Sequence, residues 1–227
     1  MPLVNIVTVH YRNAEWAKVQ YQYVDRYAGS YEIHACMNDC SYDASRYKTV
    51  CNLQGGHKEK LCTIADRIAS EDRRDREIIL FLDGDAFPIK PINTKLDSLL
   101  LEYPAVGVRR LECPGEDDIP HILFTAVRVG NWRGTSGRWK DRMRQIIGKK
   151  KWYRLYRSNS LNFHPLFFGI YGTAVYHHGA GFRSPKNRVD NNGGSNEEFL
   201  ATISKMVKAR IDLNGDEMIK YLGSMYA

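Results

Sequence analysis

Residues 78–90 read Ile-Ile-Leu-Phe-Leu-Asp-Gly-Asp-Ala-Phe-Pro-Ile-Lys, and their pattern decides the fold. The unbroken apolar run from Ile78 to Leu82 suits a strand buried on both faces of a parallel sheet. Two carboxylates, Asp83 and Asp85, stand where that strand ends, and in open α/β sheets this edge is where ligands sit. In an extended chain both side chains project to one side, because strand periodicity is two. Clustered carboxylates repel each other and favour a cation, and hard oxygen ligands suit Mg²⁺ or Mn²⁺. Gly84 leaves room for a ligand to approach the backbone. An Asp-Gly turn that merely closes a strand is the competing reading.

Outward from this segment the pattern alternates. Leu3 to Val9 is β-rich, and Asn13 to Tyr27 reads as a helix with Asn13 as its N-cap. Tyr31 to Met37 is a second strand, Asn38 to Ser45 is turn-like, and Lys58 to Ser70 is a helix opened by Gly55-Gly56. With a third strand at Glu77 to Leu82, residues 1–90 read β-α-β-α-β, the pattern of a nucleotide-binding parallel sheet. Beyond it come a short helix at Leu96 to Leu101 and strands at Ala105 to Val108 and His121 to Val129. A helix at Trp139 to Ile147 follows, then a strand at Gly169 to Tyr176 and helices at Asn196 to Ala209 and Asp216 to Leu222. The expected class is α/β: one domain over residues 1–227, with a mostly parallel central sheet flanked by helices. Within it, residues 1–90 and 91–227 are expected as two halves, the first nucleotide-binding and the second contacting the other substrate, the acceptor.

Composition sets the outer limits. Hydrophobic residues make up 43% of 227, enough for a substantial core. No stretch reaches the roughly 18–20 apolar residues of a membrane span, and the N-terminus lacks signal-peptide regions. The five cysteines are odd in number and irregularly spaced, so reduced thiols in a cytoplasmic setting are expected rather than zinc ligands or a disulfide framework. The net charge of +7 concentrates between Arg128 and Arg157, a stretch that would attract anions, including an anionic membrane surface, or else form a solvated helix face. Trp132, Trp139, Trp152, Tyr153 and Tyr156 there would stack on flat ligand faces or fill the core.

At the end of the first strand, Thr8, Val9, His10 and Tyr11 stand where a parallel sheet binds ligands. The Gly55-Gly56-His57-Lys58-Glu59-Lys60 stretch opens a helix whose N-terminus favours phosphate, with His57 and Lys60 as the side chains to meet it. Late in the chain comes Tyr176-His177-His178-Gly179-Ala180-Gly181-Phe182-Arg183.

The N-terminal β-α-β-α-β unit, the Asp-x-Asp after an apolar strand and this late His-Gly-basic segment together resemble the GT-A family of nucleotide-sugar glycosyltransferases. The small viral and bacterial single-domain members are the most similar. The likeness is strongest over residues 3–90 and 171–185. It implies a metal-dependent transferase that moves a sugar from a nucleoside diphosphate to a hydroxyl of a glycan acceptor. If the chain is viral, its place would be the host cytoplasm. By this resemblance Asp85 binds the metal directly, and Asp83 meets it or the ribose. His178, with His177 beside it, resembles the third ligand, and Arg183 is placed to bind diphosphate oxygens. The end of the first strand, Thr8 to Tyr11, would cradle the nucleoside. Asp39 resembles the acid that accepts from uracil N–H, which favours UDP, although an Asx turn would equally account for it. The family's Ala-Arg-Asn triplet is missing near Lys60. Glu197 and Glu198 resemble an acidic pair of inverting members. Glu112, Glu116, Asp117 and Asp118 are further candidates for the general base, and Asp118 is the choice.

Two rivals stand beside this reading. A haloacid-dehalogenase-like phosphatase also carries Asp-x-Asp after a strand, but Ala86-Phe87-Pro88 departs from its usual continuation. A nucleic-acid-binding module would use the cation-aromatic run Lys149 to Arg157, and would leave the carboxylates and histidines without a role.

Overall fold

The computed structural model describes residues 1–12, 14–40, 42–72, 74–109, 119–156 and 169–177. Strands β1 (Val4–Tyr11), β2 (Tyr31–Asn38), β3 (Thr49–Cys51) and β4 (Ile78–Asp83) alternate with helices α1 (Ala14–Tyr27) and α2 (His57–Ser70). After β4 the chain forms β5 (Ala86–Pro88), α3 (Asn93–Glu102), β6 (Ala105–Val108) and β7 (His121–Arg128). Helices α4 (Val129–Arg133) and α5 (Trp139–Ile147) follow, then β8 (Tyr153–Leu155), β9 (Gly169–Tyr171) and β10 (Val175–His177).

Seven strands make the main sheet in the order β3-β2-β1-β4-β7-β6-β8. Its pairings are parallel except where β7 runs antiparallel to β4 and β6. The fold is therefore α/β with a mostly parallel sheet. Both faces are covered, which explains the continuous apolar runs. On one face Val4, Ile6, Ile78, Leu80 and Leu82 pack with Ala17 and Val24 of α1 and Leu96 and Leu100 of α3. On the other, Val7, Val9, Ile79 and Phe81 pack with α2, α4 and α5. Phe81 is fully buried, its ring 5.0 Å from that of Trp132 and 4.9 Å from that of Trp139. Truncation of such a ring to alanine typically costs about 3–5 kcal/mol.

A second, three-stranded sheet of order β5-β10-β9 lies beyond the end of β4. The single strand expected over Gly169 to Tyr176 is instead a hairpin. Gly172 and Thr173 both take positive φ, at 55° and 58°, and reverse the chain between β9 and β10. The short strands β3, β5 and β8 and helix α4 were not anticipated, since three residues carry too little periodicity to register. Helix α3 begins at Asn93, earlier than expected, and α2 at His57. Asn13 and the two helices expected over 196–209 and 216–222 lie outside the described residues. Cys36, Cys40, Cys51 and Cys62 are unbridged thiols. No helix among the described residues is long and apolar enough to cross a membrane.

Candidate functional site

The sheet topology sets the site. β1 and β4 are parallel neighbours, with Val9 opposite Asp83, so both strands deliver their last residues to one edge. At Asp83 the chain leaves β4, turns through Gly84 and Asp85, and enters β5. β10 then pairs antiparallel to β5 with His177 opposite Ala86. This brings Asp83, Asp85 and His177 together, with one potential ligand atom from each lying within 4.8 Å of the others. His177 Nε2 is 3.4 Å from Asp85 Oδ1 and 3.6 Å from Asp83 Oδ2.

Gly84 is required here by space. A Cβ at this position would lie 2.5 Å from the Val9 carbonyl oxygen and 3.0 Å from His10 Nδ1. The carboxylate turn thus rests directly on the end of β1.

His57, the first residue of α2, sends Nε2 to 2.7 Å from Asp83 Oδ1. Burial alone would raise the Asp83 pKa, but the charges and hydrogen bonds of His57 and His177 hold it well below the usual carboxylate range. For His57, desolvation acts to lower the pKa, and the attraction and hydrogen bond of Asp83, with help from Asp85, raise it overall. His10 behaves oppositely: burial pushes it down to about 4, against a smaller upward pull from the neighbouring Gln20 amide. Its two ring nitrogens are buried without a well-formed hydrogen bond among the described residues.

A cavity of about 340 Å³ opens over this cluster, lined by Val9, His10, Tyr11, Trp16, His57, Lys60, Asp83, Gly84, Asp85 and His177. That size falls in the range of small-molecule sites, about 300–1,000 Å³. Lys60 Nζ donates to Asn38 Oδ1 at 2.8 Å. Asn38, the last residue of β2, is itself fixed by donating to Asn52 Oδ1 and to the Leu53 carbonyl. The Lys60 ammonium is therefore anchored at the cavity wall.

The structure brings nine residues named from sequence, Val9 through Tyr11 and the Lys60, His57, Asp83, Gly84, Asp85 and His177 positions, to one cavity. Thr8 and Asp39 do not line it. Thr8 is fully buried within the sheet. Asp39 takes a positive φ of 53° and faces Arg12 at 3.6 Å, both side chains about two-thirds exposed. His178, Arg183, Glu112, Glu116, Asp117, Asp118, Glu197 and Glu198 lie outside the described residues. His57 reaches a carboxylate rather than standing free for phosphate. Trp132, Trp139 and Trp152 are buried core residues, not stacking platforms, and only Tyr156 of that aromatic set is well exposed, at 47%. Trp152, one of the rings in the Lys149 to Arg157 run, is enclosed and does not face solvent as a single-strand binder's ring would.

Trp16, Gln20 and Asn38 were missed. Gln20 had a sequence signal: it falls between Ala17 and Val24 on the apolar stripe of α1, where a polar side chain needs a partner. It finds two, donating from Nε2 to the Asp83 carbonyl at 2.8 Å and to the Ala86 carbonyl at 2.7 Å.

Two carboxylates and an imidazole within bonding reach of a common point are a donor set that suits Mn²⁺ or Mg²⁺, with the imidazole tilting the choice toward Mn²⁺. The residues present fit such an ion.

No family model matches the chain, and no curated protein does. Among solved structures it is similar to the glycosyltransferase GlyE of Streptococcus pneumoniae TIGR4, with 11% identity over 68% of this chain and 45% of that one, at a TM-score of 0.43. It is similar to S. aureus TarS, with 10% identity, 99% and 43% coverage and a TM-score of 0.46. A third is the mannosyltransferase PcManGT from Pyrobaculum calidifontis in complex with GDP-Man and Mn²⁺, with 14% identity, 55% and 44% coverage and a TM-score of 0.36. The chain spans less than half the length of each of these structures. Likeness of this degree assigns no residue a role, so the functional reading rests on the site itself.

Proposed function

We propose that the chain is a GT-A-type glycosyltransferase that uses Mn²⁺ or Mg²⁺ to transfer a sugar, of hexose type, from a nucleoside diphosphate to a hydroxyl of a glycan acceptor. UDP is the favoured nucleotide. The observation that carries this reading is the convergence of Asp83, Asp85 and His177 at the carboxyl edge of the sheet, on the wall of a cavity of about 340 Å³.

Asp83, Asp85 and His177 would hold the cation, which when bound offsets the negative charge that grows on the departing diphosphate. His57 fixes the Asp83 carboxylate through its 2.7 Å contact, an outer support of the kind that orients metal ligands. Lys60, anchored by Asn38, presents a second positive charge toward the same anion. Tyr11 at the mouth and the buried Trp16 supply flat apolar surface for the nucleoside. His10, buried and neutral behind Gly84, completes the cavity wall. Arg183 and the general base, for which Asp118 remains the choice, belong to the expected remainder of the site.

The test is Asp85→Ala. Its far-UV circular dichroism should match the wild type, while Mn²⁺-dependent binding and hydrolysis of UDP-sugars are lost. Undiminished Mn²⁺-dependent binding in that variant would remove the assignment.

A further inference from the structure

The Asp83-Gly84-Asp85 turn is held from behind by a residue that does not itself line the cavity. Asp83 ends β4 and Ala86 begins β5, so their backbone carbonyls mark the two sides of the Asp83-Gly84-Asp85 reversal. Asp83 is the last paired residue of β4 in the main sheet and Ala86 the first of β5 in the second sheet, so the turn passes from one sheet to the other, where a buried carbonyl needs a donor. Gln20 of α1, only 2% exposed, supplies it to both: one Nε2 donates at 2.8 Å to the Asp83 carbonyl and at 2.7 Å to the Ala86 carbonyl. A carboxamide nitrogen has two hydrogens, so both bonds are met at once.

The consequence is geometric. Two fixed bonds from one nitrogen hold the carbonyls flanking the turn close together, and that closeness sets the span of the turn. The turn is confined from the other side as well, where Gly84 sits against the Val9 carbonyl. The helix that carries Gln20 is tied to the same region by Tyr23, whose ring lies 4.3 Å from that of Phe87, which in turn stacks at 4.9 Å on Tyr176 beside His177. Gln20 thus ties α1 to both sides of the carboxylate turn, while Tyr23, Phe87 and Tyr176 pack in a row beside His177.

We propose that Gln20 is a positioning residue for the cation site, bridging the Asp83 and Ala86 carbonyls so that the Asp83 and Asp85 carboxylates keep the spacing a divalent ion requires. This rests on the metal reading above. Residues that orient metal ligands from outside typically carry about 10- to 100-fold in metal affinity.

The experiment is a Mn²⁺ titration followed by the loss of the free-ion electron paramagnetic resonance signal, on the full chain without nucleotide. Gln20→Met keeps length and volume and removes both donors. Val24→Ala, on the same buried stripe of α1, removes packing without touching the turn. The expected result is a ~10- to 100-fold weaker Mn²⁺ affinity in Gln20→Met, with Val24→Ala retaining wild-type affinity despite its lower melting temperature. Equal affinity in Gln20→Met and wild type would overturn the proposal, as would an equal loss in Val24→Ala. If Gln20→Met does not fold, Gln20→Asn decides, because its shorter amide cannot span both carbonyls; wild-type affinity there would also overturn it. A wild-type chain that takes up no Mn²⁺ would instead bring down the metal reading itself.

Discussion

His10 is a buried imidazole that the fold keeps neutral. Its pKa is pushed by burial down to about 4 from an ordinary 6.5. A depressed histidine contributes its stability in full above pH 6.5 and loses it as the pH falls toward 4, because over that window only the unfolded chain takes up the proton. The full shift corresponds to about 3 kcal/mol. Urea unfolding at pH 6.5 and pH 4.5 should therefore show a marked loss in the wild type that shrinks by ~2–3 kcal/mol in His10→Phe. An unchanged gap would mean that His10 is protonated in the folded chain. His57, with its raised pKa, acts in the opposite sense and loses its contribution only as the pH rises above 6.5. Asp83, held low, contributes its stability in full above the ordinary carboxylate range and loses it only as the pH falls below that range. At Gly84 the constraint is steric. Gly84→Ala sets a methyl group 2.5 Å from a backbone oxygen, so the turn must move. Destabilisation of ~1–3 kcal/mol in urea, with loss of Mn²⁺ uptake, is expected.

The elements that complete the site are its shortest. β4 was legible because Ile78 to Leu82 is an unbroken apolar run, and the Asp-x-Asp stood out because it ends that run. β1, β2, α1 and α2 were legible by period. β5 and β10 were not: each has three residues, and their pairing joins chain positions about ninety residues apart, which no local pattern encodes. The sequence reading preferred His178 of the histidine pair, a residue that lies outside the described residues. The β5–β10 register sets His177 opposite Ala86, one residue from Asp85. His177→Ala should weaken Mn²⁺ binding ~10-fold or more, and more than His178→Ala, by the same titration. The reverse order would show that the hairpin register differs in the metal-bound protein. The tryptophans misled for a related reason, since composition cannot distinguish a core ring from a stacking platform. Trp132 and Trp139 close over Phe81 beneath the sheet.

At the scale of the molecule, four parallel strands carry β1 and β4 to a common edge, and the second sheet folds back over it. This arrangement accounts for why residues from opposite ends of the described chain, Val9 and His177, line one cavity. It also leaves the nucleotide preference resting on few groups, since Asp39 faces Arg12 at the surface rather than the cavity. On the proposed function, the carboxylate-histidine cluster binds a nucleoside diphosphate through a divalent cation. Calorimetric titration of UDP into the chain with and without Mn²⁺ tests it most directly. Micromolar binding that appears only with the metal is the predicted result; equal binding in its absence, or none by UDP, GDP or dTDP with it, would contradict the account.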